Sequence, residues 1–365
     1  MKSILDYETV ALEDERDAIV IIDQTLLPGE TKLIDLKTGE EIWNAIYLLQ
    51  VRGAPAIGVC AGFGIYLLMK HSNASSKEEF IKELDKNKDY LNSSRPTAVN
   101  LSWALERMKS KVLSFIEEEE KTGRSFDKEA AIKVMHDESE AIKEEDIDVC
   151  RRIGENGLTL VKKGDGILTH CNAGQLATCK YGTATAPIYL GHERGYNFHV
   201  YCDETRPLLQ GARLTAYELQ SAGVDTTLIC DNMSASIMKS GKIQAVFVGC
   251  DRVASNGDAA NKIGTSVVAT VAKHYGIPFY VCAPTSTIDI NTATGDDIVI
   301  EQRKPEEVTQ MWYKQRMAPE GVKVYNPAFD VTDNSLISGI VTEYGVLRAP
   351  YDKAIEQLFE TRNKK

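Results

Sequence analysis

The second half of the chain carries the pattern that most restricts its fold. Five short apolar runs alternate there with helical segments: Gly166 to His170, Asn197 to Tyr201, Thr226 to Ile229, Ala245 to Gly249 and Pro278 to Val281. Successive short strands separated by helices predict parallel βαβ units in a doubly wound α/β sheet. Each run is followed at once by a cysteine (Cys171, Cys202, Cys230, Cys250, Cys282), which puts all five at the carboxyl edge of that sheet. Ligands of open α/β sheets bind in the crevice outside the carboxyl ends of the strands, so chemistry is expected in the loops these cysteines open. Cysteine is also a small apolar residue that packs well at such positions, and packing is the expectation for most of the five.

The first half reads differently. Ile19 to Ile22 and Lys32 to Leu36 are β-rich runs flanking the turn Leu27-Pro28-Gly29, which predicts a small antiparallel sheet. Apolar residues then recur at helical spacing over Gly39 to Gln50, Ala56 to Lys70, Ser76 to Leu91 and Ala98 to Glu119. A long charged helix is predicted from Asp127 toward Leu160, with Gly154 and Gly157 as points where it could break. The expected organisation is therefore a β/helical N-terminal domain over 1–124, a connecting helix over 125–163 and a sheet-bearing domain over 164–365.

Composition narrows the function. A net charge of −11 argues against a nucleic-acid or membrane-surface binder, since those partners require a broad positive field. An anionic ligand must meet a local positive site instead. The acidic start MKSILDYETVALEDERD resembles neither a secretory signal nor a transit peptide, and no apolar stretch is long enough to span a bilayer, so a cytoplasmic location is expected. The eight cysteines form no Cys-x-x-Cys pair and no metal-spaced set with histidine, which predicts reduced thiols and no structural zinc. Neither a Gly-x-Gly-x-x-Gly fingerprint nor a Gly-x4-Gly-Lys-Ser/Thr loop is present, which leaves little room for a dehydrogenase or a nucleoside-triphosphate site.

Four constellations can carry chemistry. In Thr169-His170-Cys171-Asn172-Ala173-Gly174, a thiol between a strand and a following helix would face the positive helix end and be usable as a base or acid. His170 there reads as an oriented neighbour or a satisfied core histidine. In Gly249-Cys250-Asp251-Arg252, an aspartate just past a strand could hold a raised pKa and act as a general acid, or could equally pair with Arg252 or cap the next helix. Downstream of it, Asn261-Lys262 near a helix start suits a sugar-phosphate contact. Arg52-Gly53-Ala54-Pro55 and Ser94-Arg95-Pro96-Thr97 each set an arginine ahead of a helix, a suitable grip on phosphate or a plain helix start. In Glu204-Thr205-Arg206-Pro207, running on to Gln210, the glutamine could bond sugar hydroxyls, while Glu204 and Arg206 are expected to form a structural ion pair.

Taken together, Arg52-Gly-Ala-Pro-Ala-Ile-Gly, Arg95-Pro-Thr, Cys171-Asn-Ala-Gly, Glu204-Thr-Arg-Pro-Leu-Leu-Gln-Gly-Ala-Arg-Leu-Thr, Asp231-Asn-Met and the run from Asp251-Arg-Val-Ala to Asn261-Lys-Ile-Gly-Thr resemble the methylthioribose-1-phosphate isomerase family. That family is related to the regulatory subunits of translation initiation factor 2B. The likeness covers nearly the whole chain in order. It implies a Rossmann-like C-terminal domain joined to a smaller, mainly helical N-terminal domain carrying a short antiparallel sheet. It also implies a homodimer, a sugar-phosphate substrate, no nucleic acid or membrane partner, and no metal or organic cofactor.

The resemblance further implies an aldose–ketose isomerase of methionine salvage that converts S-methyl-5-thioribose 1-phosphate to S-methyl-5-thioribulose 1-phosphate. Cys171 and Asp251 are then the catalytic pair, and Arg52, Gly53, Ala54, Arg95, Gln210, Asn261 and Lys262 the substrate contacts. Gln175, Ser234, Ser236 and Cys250 depart from the family pattern near the expected pocket, which keeps a 5-deoxyribose 1-phosphate isomerase as an alternative. A non-catalytic regulatory subunit like those of the translation factor is the alternative of a different class.

Overall fold

A computed structural model of the protein describes residues 2–96 and 99–363. Thr97 of the Arg95-Pro-Thr motif and Ala98, the expected start of the fourth helix, lie outside the described residues. The chain forms two compact units, one made of Leu5–Asp148 with Gln175–Lys180, the other of Met1–Ile4, Val149–Gly174 and Tyr181–Lys365. This division differs in two places from an organisation into 1–124, 125–163 and 164–365. The long helix is not a separate connector, since its residues up to Asp148 count with the first unit and those from Val149 with the second. In addition, a short segment inside the expected second domain belongs to the first.

The first unit opens with the antiparallel strands β1 (Val10–Glu13), β2 (Ala18–Ile22) and β3 (Leu33–Leu36), in that order, and β2 is buried along its whole length. Helices α1 (Gly39–Tyr47), α2 (Ala54–Lys70), α3 (Lys77–Asn92), α4 (Val99–Lys121) and α5 (Lys128–Leu158) follow. Thr38 and Glu41 close a capping box on α1, and Ser76 accepts from the Glu79 amide to start α3. Helix α2 is apolar nearly all round and correspondingly buried, making it the centre of this core, with Phe80, Leu101 and Met108 packed about it. The segment Gln175–Lys180 is tied into the same unit. Its Gln175 and Leu176 carbonyls accept from Thr9 and Gln24 at 2.9 and 2.7 Å, the Cys179 amide donates to Asp146 at 2.7 Å, and the Cys179 side chain joins the core.

The second unit has an α/β fold with a mixed sheet. Its elements are β4 (Gly166–Thr169), α6 (Ala186–Glu193), β5 (His199–Asp203), α7 (Ala216–Ser221), β6 (Asp225–Ile229), α8 (Ser234–Lys239) and β7 (Ala245–Val248). These are followed by β8 (Arg252–Ala254), β9 (Ala259–Lys262), α9 (Thr265–Tyr275), β10 (Phe279–Cys282), β11 (Ile288–Asp289) and the short α10 (Glu306–Thr309). The chain closes with β12 (Phe329–Thr332), β13 (Gly339–Thr342), β14 (Gly345–Leu347) and α11 (Tyr351–Asn363). The main sheet has the order β14-β13-β10-β7-β4-β5-β6, with every neighbouring pair parallel except β13–β14. Strands β4, β7 and β10 are buried throughout, as continuous apolar strands covered on both faces must be. From β4 the chain moves outward to β5 and β6, then returns to lay β7 against the other side of β4. A second sheet, β11-β8-β9-β12, stands on the connection after β7.

The five apolar runs thus correspond to β4, β5, β6, β7 and β10, each displaced by no more than two residues. Gly154 and Gly157 do not interrupt α5. A Cβ on them would come 2.6 Å from Leu190 and 2.4 Å from Pro187, so they let α6 lie close against the helix. Among the described residues, no helix is long and apolar enough to cross a membrane.

Candidate functional site

The reversal of strand order between β4 and β7 creates the kind of crevice in which open α/β sheets bind ligands. Cys171 follows β4, and Asp251 follows β7, its hydrogen-bonded parallel neighbour. The two loops are brought together at a glycine. A Cβ on Gly249 would lie 2.5 Å from the Ala173 Cβ, so any larger residue there would push the Cys171 loop away from the Asp251 turn.

Cys171 is held with unusual firmness. Its backbone is left-handed, φ 64°, a conformation that costs a side-chain-bearing residue free energy and must be imposed by its surroundings. Two threonine hydroxyls impose it. The Cys171 amide donates to Thr205 Oγ1 at 2.8 Å, and Thr215 Oγ1 donates to the Cys171 carbonyl at 2.6 Å. The next residue is fixed as well, because Asn172 Nδ2 donates to Thr215 Oγ1 at 3.1 Å and to the buried Glu218 carboxylate, which also accepts from Tyr189. No helix follows Cys171 directly. A short 3-10 turn spans Gln175–Ala177 and the next α-helix starts at Ala186, so the expected activation of the thiol by a helix end is not how this site is built.

Of the other strand-end cysteines, Cys202 and Cys282 are buried packing residues, Cys250 is half-buried and Cys230 is exposed. Burial pushes the Cys202 and Cys282 thiols well up and Cys250 up to about 12, while the neighbouring Glu204 raises the exposed Cys230.

Asp251 opens a β-hairpin, its amide donating to the Ala260 carbonyl at 2.9 Å, and its side chain is exposed. The Arg252 guanidinium lies 3.4 Å from Asp289. Asn261 and Lys262 end β9, the return strand of the same hairpin. Buried Asn261 donates to Thr265 Oγ1 at 3.1 Å, and the Lys262 ammonium sits 4.3 Å from the centre of the Phe329 ring. The start of α9 is not open to a phosphate, because Asp330 accepts from the Gly264 amide at 2.8 Å and from the Ser266 amide and hydroxyl. Phe329 and Asp330 are site neighbours that sequence reasoning missed, and nothing in their spacing announced them.

Gln210 stands at the head of a π-helical turn, Gly211–Thr215, a device frequent at functional sites. It is buried, and its Oε1 has no hydrogen-bond partner among the described residues, as expected of an acceptor kept for a ligand hydroxyl. The predicted Glu204–Arg206 ion pair is replaced by other contacts. Arg206 donates to the Pro207 and Val308 carbonyls at 3.1 and 2.9 Å and lies over the Tyr313 ring, while Glu204 neighbours Cys230.

In the other unit, Arg52 and Gly53 precede α2, whose first residue is Ala54, and Arg95 lies in the turn ahead of α4. Gly53 has φ 89° and a Cβ there would meet the Ala177 backbone at 2.4 Å, so only glycine serves. A Cβ on Gly58 would lie 3.1 Å from the Asn100 carbonyl, which sets the first turns of α2 and α4 side by side. Arg52 and Arg95 therefore each precede one of two neighbouring helices. Of the residues departing from the family pattern, Gln175 turns to the Tyr7 carbonyl at 2.9 Å, Ser234 to the Asp231 carbonyl and Cys250 to Thr287.

Residues 50–349 match the family described as the Initiation factor 2 subunit family. The chain belongs to that family. A methylthioribose-1-phosphate isomerase from Symbiobacterium thermophilum is 62% identical over 97% of both chains. A 5-deoxyribose 1-phosphate isomerase from Petrotoga mobilis is 57% identical over 96% of this chain and 99% of its own. Among solved structures, 5-methylthioribose 1-phosphate isomerase from Pyrococcus horikoshii OT3 superposes with a TM-score of 0.90 at 42% identity, covering 97% of this chain and 96% of that one. The delta subunit of translation initiation factor eIF-2B from A. fulgidus gives 0.85 at 40%, covering 96% and 99%.

Proposed function

We propose that this protein is an aldose–ketose isomerase that converts 5-methylthioribose 1-phosphate to 5-methylthioribulose 1-phosphate, with Cys171 and Asp251 handling protons. The observation that carries the reading is that these two residues follow adjacent parallel strands where the strand order reverses. Counted from β4, the six parallel strands have the doubly wound order 3-2-1-4-5-6, and we read this unit as Rossmann-like. The name of the 62% identical relative supplies the substrate.

A furanose 1-phosphate has its anomeric oxygen esterified and cannot open as a free hemiacetal, so ring opening needs an acid. Asp251 donates a proton to the ring oxygen as the ring C1–O bond breaks and recovers one from the 2-hydroxyl as C2 becomes the ketone carbon, while Cys171 serves the transfer of hydrogen from C2 to C1. Arg52, Gly53, Ala54 and Arg95 supply phosphate donors, and Gln210, Asn261 and Lys262 hold the sugar. The same reading carries a cytoplasmic homodimer and a reaction that needs no metal or organic cofactor. The buried thiol-bearing turn and the unpartnered Gln210 oxygen favour catalysis over a purely regulatory subunit, which has no use for either.

Turnover of 5-methylthioribose 1-phosphate by the purified chain, lost in Cys171→Ser and Asp251→Asn, tests the assignment. Full activity in both variants would remove it. A second reading rests on the 57% identical relative, a 5-deoxyribose 1-phosphate isomerase. Comparing kcat/KM on the methylthio and deoxy sugars decides between them, and equal efficiency means that one enzyme serves both. Deuterium from solvent appearing at C1 of the product indicates an enediol route, since a pure hydride shift incorporates none.

A further inference from the structure

A histidine–aspartate pair lies directly behind the proposed thiol, and the chemistry described above does not use it. His170, the residue before Cys171, is buried, with Nδ1 3.0 Å from Asp203 Oδ2 and Nε2 2.9 Å from the Ile263 carbonyl oxygen. A carboxylate and a carbonyl both accept, and a neutral imidazole has one N–H for the two of them. An imidazolium satisfies both.

The two bonds span three stretches of chain that carry proposed site residues. Cys171 follows β4, Asp203 ends β5 ahead of the loop to Gln210, and Ile263 follows Asn261-Lys262 at the end of β9. The neighbourhood is built around the ring. Gly264, with φ 102°, passes so close that a Cβ would lie 3.0 Å from His170 Cε1. The Asp203 carbonyl accepts from Thr205 Oγ1, the same oxygen that receives the Cys171 amide, so His170 and the threonine brace one turn from two sides. Asp231 in turn fixes Thr205 and Arg206 by accepting both amides, at 2.6 and 2.7 Å.

We propose that His170 and Asp203 are positioning residues of the isomerase site, the His170 imidazolium holding the Cys171 turn in register with the segments that bear Gln210 and Asn261-Lys262. The inference rests on the catalytic reading of Cys171. Among the described residues, the charged or titratable groups that face the pair include Asp231 after β6, Glu204 beside Asp203 and the Cys202 thiol on β5. Burial works to lower the His170 pKa, but the Asp203 hydrogen bond and charge, with the Ile263 carbonyl, outweigh it and leave the imidazole more basic than usual. Burial pushes Asp203 up to about 6, against the pull of His170.

The test uses the full chain, its Asp203→Asn and His170→Gln variants, and Cys171→Ser as reference, with 5-methylthioribose 1-phosphate as substrate. A turn displaced by a fraction of an ångström predicts kcat lowered by about 10–100-fold in both pair variants, with KM changed far less. Nitrogen NMR of labelled histidine should show His170 doubly protonated at pH 7 in the unmodified protein and neutral in Asp203→Asn, a change that a purely structural role does not require. Wild-type kcat in both folded variants alongside an inactive Cys171→Ser would overturn the inference and leave the catalytic reading standing. A neutral His170 in the unmodified protein overturns it too, and decides the matter if either variant fails to fold. Full turnover in Cys171→Ser would remove the catalytic reading and this inference with it.

Discussion

The main sheet carries a histidine–aspartate pair at each end, and the two differ in nearly everything except composition. At the carboxyl end His170 and Asp203 are 1% and 0% exposed, whereas at the amino end His199 and Asp225, cross-strand partners on β5 and β6, are 35% and 69% exposed. Water can satisfy the His199–Asp225 pair if it opens, and exposed pairs of this kind contribute between nothing and about 1 kcal/mol. The buried pair has no such fallback, so every ring nitrogen needs its acceptor inside the protein. One edge of the sheet is therefore tightly specified and the other tolerant. The proposed chemistry is at the specified edge.

Substitutions can sharpen or break that contrast. The largest effect is expected on turnover, where Cys171→Ser and Asp251→Asn should each lower kcat by about 10²–10⁴-fold, the range for lost acid–base groups, while Asp225→Asn leaves it unchanged. Next is stability. Asp203→Ala removes one partner of a buried pair and should cost about 3–5 kcal/mol in urea denaturation. Gly249→Ala drives a methyl against Ala173 and should cost about 1–3 kcal/mol, with a loss of activity as the Cys171 loop moves.

A smaller effect follows from pH. The folded-state pKa of His170 is raised above its ordinary value near 6.5, so the stability it contributes is complete below that value and is lost as pH rises through the raised one. Asp203, held near 6, releases its proton earlier in the unfolded chain, so its burial becomes more costly between about pH 4 and 6. Both terms make stability fall with rising pH. The difference in urea midpoint between the unmodified protein and His170→Gln should narrow from pH 6 to pH 9, and a constant difference would contradict the charged assignment. Smallest of all, Asp225→Ala should cost under about 1 kcal/mol, less still in high salt. A cost matching that of Asp203→Ala would erase the contrast.

Much of the specified edge was legible in the sequence, because continuous apolar runs at fixed spacing leave few alternatives to buried parallel strands. The hairpin β8–β9 was not read, although Asn256-Gly257 between short β-prone runs is a turn signal, since three- and four-residue strands carry too little periodicity to stand out. The helix expected just after Cys171 failed for another reason. Local pattern cannot reveal that Gln175–Lys180 counts with the other unit, where its carbonyls serve Thr9 and Gln24. The partners of Arg206 were equally hidden, as Val308 and Tyr313 lie about a hundred residues downstream.

The interleaving of the two units also bears on how the protein is born. A ribosome releases the chain from its amino end, yet the helical unit lacks its closing segment until Lys180 has emerged, by which point only β4 of the main sheet has been made. Conversely, the amide of Ile4 waits for the hydroxyl of Ser221. Neither unit corresponds to one uninterrupted stretch of message, so a truncation at residue 148 would deliver α1 to α4 and the first part of α5 without the segment Gln175–Lys180, whose Cys179 completes their core.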